Sequence, residues 1–248
     1  AGNPAGCTDH NGVVLITDQR ASTRPVGGRC DIGAYEGSLG VLGAGNFATA
    51  VMLPAVQKIE NLNLVGILSG SGLSAHHAAK KFGFDYAAQS EEQILSDEGI
   101  NTLAILTRHN VHAAQTLAAL QAGKNVFVEK PLAVNNEQLS VISEQLVKTD
   151  NGILTTGFNR RFAPLAKELS AFYADRVEPL HIHYRINAGY IPLKHWLHDP
   201  EQGGGRIIGE GCHFIDFVTF LVGESPISVS AFALPDNGKY REDNVSMT

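Results

Sequence analysis

A chain of 248 residues holds one large or two ordinary domains, and 44% hydrophobic against 18% charged residues supplies packed cores rather than a disordered polymer. A net charge of −6 argues against a general nucleic-acid binder, which needs a basic face for phosphates. No apolar run of about 18 residues offers a membrane span, and Ala1-Gly2-Asn3-Pro4 has neither the basic nor the apolar region of a secretory leader, so a cytoplasmic protein is expected.

The first 37 residues are rich in Gly, Pro, Asp, Asn and Arg and carry one apolar run, Val13-Val14-Leu15-Ile16, so short strands and turns are expected there. From Ser38 the pattern changes. Apolar runs at 39–42, 63–68, 102–107, 125–129 and 153–157 read as strands, and amphipathic stretches at 47–60, 73–82, 90–97, 110–122 and 136–149 read as helices. Five βα units in succession predict an α/β fold with a doubly wound parallel sheet covered on both faces. After Gly157 the order changes again. A helix is expected over 164–174, a half-buried strand over 181–186, and a helix over 209–221 with Ile215, Phe217, Val218 and Leu221 as its apolar positions. A strand is expected over 227–234, and another opens at 244–247. This predicts a second, α+β domain, expected to be incomplete because a strand opens at the last residues. The chain also starts without Met, so it reads as a fragment or a processed product.

Chemistry concentrates first at Gly43-Ala44-Gly45-Asn46-Phe47-Ala48, a G-x-G-x-x-A turn between the first strand and its helix. Gly43 permits a sharp turn, Gly45 removes the Cβ that would meet a pyrophosphate, and Ala48 keeps the helix close to the strand. N–H groups at the helix start would then face phosphates. A plain strand-to-helix turn is the competing reading. Three cysteines, Cys7, Cys30 and Cys212, make no metal-ligand spacing. Cys7 and Cys30 pair if their segment is extracellular and stay free thiols in a reducing compartment. His181 and His183 share a strand face, but no third ligand is spaced to help them hold zinc, so no metal is expected.

Further motifs follow in one order: Thr107-Arg108-His109-Asn110-Val111-His112, Glu129-Lys130-Pro131, Gly157-Phe158-Asn159-Arg160-Arg161-Phe162, Gly203-Gly204-Gly205 and Gly211-Cys212-His213-Phe214-Ile215-Asp216. With the glycine turn, residues 38–248 resemble the glucose–fructose oxidoreductase / inositol dehydrogenase (Gfo/Idh/MocA) family. The resemblance implies an NAD(P)-binding Rossmann domain, here 38–157, and a substrate and dimerisation domain with an open, mostly antiparallel sheet, here 158–248. It implies hydride exchange with a secondary alcohol of a sugar, nucleotide sugar or cyclitol, and a homo-oligomer once the second domain is complete. Lys130 and His213 match the family's proton-handling residues. The matching Lys bonds the reacting hydroxyl, and the His of G-x-H is the usual acid or base. NAD(P) contacts are implied for Gly43, Gly45, Asn46, Phe47, Ala48, Ser69, Thr107, His112 and Glu129.

Competing readings stand beside these. Lys130 also fits a surface lysine on a βα loop, His213 a core histidine, Glu129 a solvated carboxylate, and His112 a helix-face residue. Arg160 and Arg161 fit either an anionic substrate group or pairing with carboxylates, and Trp196 either a sugar-stacking surface or core. The family commonly carries Asp four residues before the G-x-H histidine. This chain has Gly209 there, with Glu210 beside it, which puts the proton relay in question. A catalytically weak nucleotide-binding scaffold is therefore the rival function. The end of the second strand, Leu68-Ser69-Gly70-Ser71-Gly72, has neither the usual Asp of NAD sites nor an Arg for a 2′-phosphate, so NAD and NADP stay open. Residues 1–37, with Asp18-Gln19-Arg20, Arg24-Pro25 and Cys30-Asp31-Ile32-Gly33-Ala34-Tyr35-Glu36, resemble the end segment of a secreted right-handed β-helix protein. They are read as a fused appendage, with an extracellular β-helix fragment as the third functional reading.

Overall fold

The computed structural model describes residues 37–149, 152–239, 241 and 244–248. The β-helix likeness, Cys7 and Cys30 fall outside the described residues, apart from Gly37. Six strands form one sheet in the order β3-β2-β1-β4-β5-β6. They are β1 (Gly37–Leu42), β2 (Leu62–Leu68), β3 (Tyr86–Ala87), β4 (Thr102–Ile105), β5 (Asn125–Val128) and β6 (Leu154–Thr156). β1 runs parallel to β2 and β4, and β2 parallel to β3. The order reverses between β1 and β4, the arrangement of a doubly wound nucleotide-binding sheet. Every residue of β1 is buried, as expected for a central strand covered on both faces.

The helices between these strands lie close to the stretches expected from the sequence. They are α1 (Leu53–Val56), α2 (Gly72–Phe82), α3 (Glu91–Ser96), α4 (His109–Gln121) and α5 (Asn136–Lys148). α1 is the end of a helical run that starts in a π-type turn, Ala48–Met52. α2 stops at Gly83, whose φ of 80° closes the helix in the left-handed region. In α3 the Ser90 hydroxyl accepts from the Gln93 N–H, which caps the first turn. Leu39, Val41, Ala48, Leu53, Ile67, Phe82 and Leu106 pack into one buried cluster. Fully burying an Ile or Leu of this kind stabilises the fold by roughly 1.5–3 kcal/mol.

The chain divides into two compact units. The first takes in the described residues up to Thr107, Thr116–Phe127 and Gln145–Leu154; the second takes in Arg108–Gln115, Val128–Glu144 and Thr155–Thr248. The second unit holds a 3-10 turn, Asn159–Phe162, then α6 (Pro164–Phe172), a π-type turn, Ile207–Gly211, and α7 (Cys212–Val222). It also holds an antiparallel pair, β7 (Ala231–Ala233) with β8 (Val245–Met247). Arg161 chelates Asp216 of α7, its Nε donating to Oδ2 at 2.7 Å, and Arg176 donates to the Val222 carbonyl at 2.6 Å.

Two expectations need correction. The strand expected over 181–186 does not form, and the one over 227–234 shortens to Ala231–Ala233. Alternation marks a face, but a strand exists only where a neighbour completes its ladder, and among the described residues 181–186 has none. β3 was not foreseen. Two residues, Tyr86 and Ala87, carry too little pattern to read.

Candidate active site

The glycine turn is built as its sequence requires. The Gly43 N–H donates to the Leu68 carbonyl at 2.8 Å, and its φ is +106°. A Cβ there would lie 2.6 Å from the Leu106 carbonyl oxygen, so only glycine fits. Gly45 is different. A Cβ on it would meet nothing within 4 Å, so the space above its backbone is open. That opening, at the start of a helix and beside the reversal point of the sheet, fits a dinucleotide's pyrophosphate. Asn46 and Phe47 are exposed at the helix start, whereas Ala48 is buried and lets the helix sit on the sheet. Thr107, half-buried, follows β4; its N–H would lie 3.0 Å from a Cβ on Gly43.

At the end of β2 three serines are linked by hydrogen bonds. The Ser74 hydroxyl lies 2.8 Å from both the Ser71 carbonyl and the Ser69 Oγ. Ser74 is the donor in both contacts, its proton shared between the Ser71 carbonyl and the Ser69 oxygen. Ser69 accepts in this contact and keeps its own hydroxyl proton.

The second unit brings Lys130 and His213 into the lining of one open cavity of about 450 Å³, with Arg160, Ile186, Asn187, Ala188, Glu210 and Phe214. Lys130 Nζ donates to the Gly209 carbonyl at 2.8 Å. The position lacking the expected Asp therefore still holds the lysine, through its main chain. A Cβ on Gly209 would lie 2.4 Å from Leu197 Cδ1 and 3.2 Å from His109 Cε1, so a side chain there requires the end of Leu197 to shift. His213 starts α7, and its Nδ1 is buried without a hydrogen-bond partner. Burial, and then the charges of Lys130 and Arg160, push its pKa down from 6.5 to about 4. The imidazole is neutral at pH 7, with a lone pair open to a proton from a bound hydroxyl. Glu210 is engaged by Arg206, whose Nε donates to Oε2 at 2.6 Å while Nη1 donates to the Gly189 carbonyl at 2.7 Å.

Several other candidates sit nearby in the same unit. His112 is fully buried, and its Nδ1 donates to the Pro131 carbonyl at 2.8 Å, which anchors the segment carrying Lys130. His109 Nδ1 donates to the Gly203 carbonyl at 3.0 Å, and burial first lowers its pKa to about 4. Trp196 meets the His109 ring edge-on at 4.8 Å and is absent from the cavity lining, so it packs rather than offering that cavity a stacking face. Burial raises the pKa of Glu129, against the adjacent Lys130 charge. Asp216 is buried in its pair with Arg161, which removes both from proton transfer. Among the described residues no group of His, Cys, Asp or Glu is arranged to hold a metal ion.

Sequence reasoning missed two parts of this site. The Gly209 carbonyl as lysine partner has no side-chain signal at all. The Arg206–Glu210 pair was legible, because the i, i+4 spacing on a helical turn brings such charges together.

Two family models match the chain. One, described as the NAD-binding Rossmann fold of an oxidoreductase family, covers residues 38–158, and the other, its C-terminal alpha/beta domain, covers residues 178–248. The chain belongs to the Gfo/Idh/MocA oxidoreductase family. Both matches lie beyond the first 37 residues, and the β-helix likeness of that segment finds no support among the comparisons. Among relatives within the family, the scyllo-inositol 2-dehydrogenase (NAD(+)) of Bacillus subtilis is 28% identical over 82% of this chain and 59% of its own length. The 1,5-anhydro-D-fructose reductase of Ensifer adhaerens is 28% identical over 78% of this chain and 59% of its own. An NAD-binding protein from Listeria innocua shares the fold at a TM-score of 0.73 and 26% identity, covering 86% of this chain and 63% of that one. The chain thus spans about three fifths of the length of such relatives. No helix among its described residues is long and apolar enough to cross a membrane.

Proposed function

We propose that this Gfo/Idh/MocA chain carries the dinucleotide turn and the reacting pocket of an NAD(P)-dependent dehydrogenase acting on a secondary alcohol of a sugar, nucleotide sugar or cyclitol. Residues 38–157 serve the cofactor in this reading and residues 158–248 the substrate. The observation that carries it is one cavity lined by a cation, Lys130, and a neutral imidazole, His213. When bound, the dinucleotide supplies hydride acceptance. The chain's own groups handle the proton: Lys130 stabilises the oxygen as its charge grows, and His213 accepts the hydroxyl proton. Gly43, Gly45, Asn46, Phe47 and Ala48 cradle the pyrophosphate, and Ser69 and Thr107 lie at neighbouring strand ends. Glu129 and His112 act on the position of the lysine segment. Titration with NADH and NADPH, followed by nicotinamide fluorescence and then turnover of a cyclitol and sugar panel, tests the whole reading. No saturable signal with either cofactor removes it.

Gly209 favours a second reading, a nucleotide-binding scaffold without turnover, because a main-chain carbonyl cannot relay a proton as an Asp would. Saturable NADH binding with no turnover on any member of the panel selects it.

Two outcomes are expected of this chain. The segment 68–72 carries no Lys or Arg to pair with a 2′-phosphate, and the Ser69 hydroxyl can hydrogen-bond a ribose 2′-hydroxyl, so NADH should bind several-fold more tightly than NADPH. Fluorescence titration checks this, and equal affinities contradict it. The second concerns pH. With His213 as base in the oxidation direction, the acid limb of kcat/KM should fall near pH 4 rather than 6.5. The unfolded imidazole binds a proton between those values that the folded one refuses. Stability should therefore drop as pH falls from 6.5 towards 4, and denaturant melts across that window measure it.

A further inference from the structure

Resting on the dehydrogenase reading, we infer that the substrate carries an anionic substituent, a carboxylate or a phosphate, and that Arg160 binds it. The two adjacent arginines of the 3-10 turn have separate fates. Arg161 is consumed by buried Asp216, in a pair that fastens the turn to α7. Arg160 points elsewhere: its guanidinium lies 4.7 Å from the centre of the Phe214 ring, and both residues line the Lys130–His213 cavity. Among the described residues no carboxylate pairs with Arg160. A guanidinium laid over an aromatic face keeps its N–H edge available for a forked contact, the geometry that a carboxylate or phosphate matches.

The charge balance of the lining points the same way. Lys130 is met by a main-chain carbonyl, which is dipolar but carries no charge. Among the described residues Glu210 is the one carboxylate in the lining, and it is already engaged by the buried Arg206. Glu129 lies next to Lys130 in the chain and outside the lining. Two cations therefore face a cavity whose single anion is spent, and a neutral polyol would leave that field uncompensated. An anionic group on Arg160 completes it, while Lys130 and His213 are left for the reacting hydroxyl. Asn187 adds a neutral hydrogen-bonding group to the lining for the remaining hydroxyls.

The test uses matched pairs: glucose against glucuronate, glucose against glucose 6-phosphate, and myo-inositol against an inositol monophosphate. Each is assayed with NAD for kcat and KM, and by calorimetry on NADH-loaded protein. The anionic member should be preferred, and Arg160→Ala should raise its KM about 10- to 100-fold more than it raises that of the neutral member, the scale of a lost charge-assisted contact. Arg160→Lys should restore part of the loss. Uronate and phosphate members compared with each other tell which anion the site takes. Turnover of neutral members with no anionic preference, or a preference unchanged in Arg160→Ala, overturns the inference while leaving the dehydrogenase reading standing. Absence of calorimetric binding by every anionic member also overturns it. Anionic binding lost in Arg160→Ala without turnover of any member supports the site and removes the dehydrogenase reading instead.

Discussion

Replacing Lys130 by Ala should lower turnover by roughly 10²- to 10⁴-fold, the range expected when a group carrying acid–base work is removed. The reason lies in what surrounds it. Lys130 shares its cavity with His213, whose depressed pKa of about 4 leaves it neutral and a weak base at neutral pH. A base of that kind works well only if the oxygen losing its proton is stabilised as its charge develops. Lys130 is the cation in the lining that this reading places at that oxygen. Its ammonium is already held by the Gly209 carbonyl at 2.8 Å, so little ordering cost falls on the reaction. Removing it should depress kcat more than it raises KM, since the contact strengthens only as charge appears on the oxygen. Steady-state kinetics on the best substrate of the panel, with NADH binding measured alongside, checks this. Near-normal turnover in Lys130→Ala sinks the assignment. Lost NADH binding would instead indict the fold.

The second large effect separates two glycines of one motif. Gly43→Ala should destabilise the first unit by about 2–4 kcal/mol, because a Cβ at φ +106° is strained and would also press on main-chain oxygen 2.6 Å away. Main chain directly after a buried strand cannot step aside as a flexible side chain does. Gly45→Ala should fold normally, since its Cβ would enter open space, yet lose cofactor affinity at least tenfold by occupying the room of the pyrophosphate. Thermal melts and nicotinamide fluorescence on both variants give the two readouts. A Gly45→Ala protein that binds NADH like the parent contradicts the cradle, whatever Gly43→Ala does.

How far the sequence could be read depended on how local each signal was. The β1 turn was legible because backbone geometry and chemistry coincide within six residues, Gly43 to Ala48. Apart from β3, the strands and helices of the first half were legible from apolar runs of the right length, most of them with a periodic buried face. The segment 181–186 alternates just as well, but its fate hangs on a neighbour that alternation does not encode. Arg160 and Arg161 were indistinguishable in sequence. Only the placement of Asp216, more than fifty positions away in the chain, decides which of them is consumed. His112 offered two readings of equal merit, and its burial against Pro131 favours a supporting role. The lysine's acceptor was invisible, because every residue has a carbonyl and nothing in the letter G says which one is used.

That last contact distinguishes two parts of the pocket by how they respond to ionic strength. Lys130 is tethered to a dipole that is part of the main chain, and the short-range contact of an amide carbonyl is little affected by mobile ions. An anion held by the exposed Arg160 is an attraction between net charges, and added salt screens it over a Debye length of about 8 Å at physiological strength. Raising the salt should therefore increase KM for a charged substrate and leave kcat almost where it was, so that capture weakens while the reacting geometry, once formed, is indifferent to the medium.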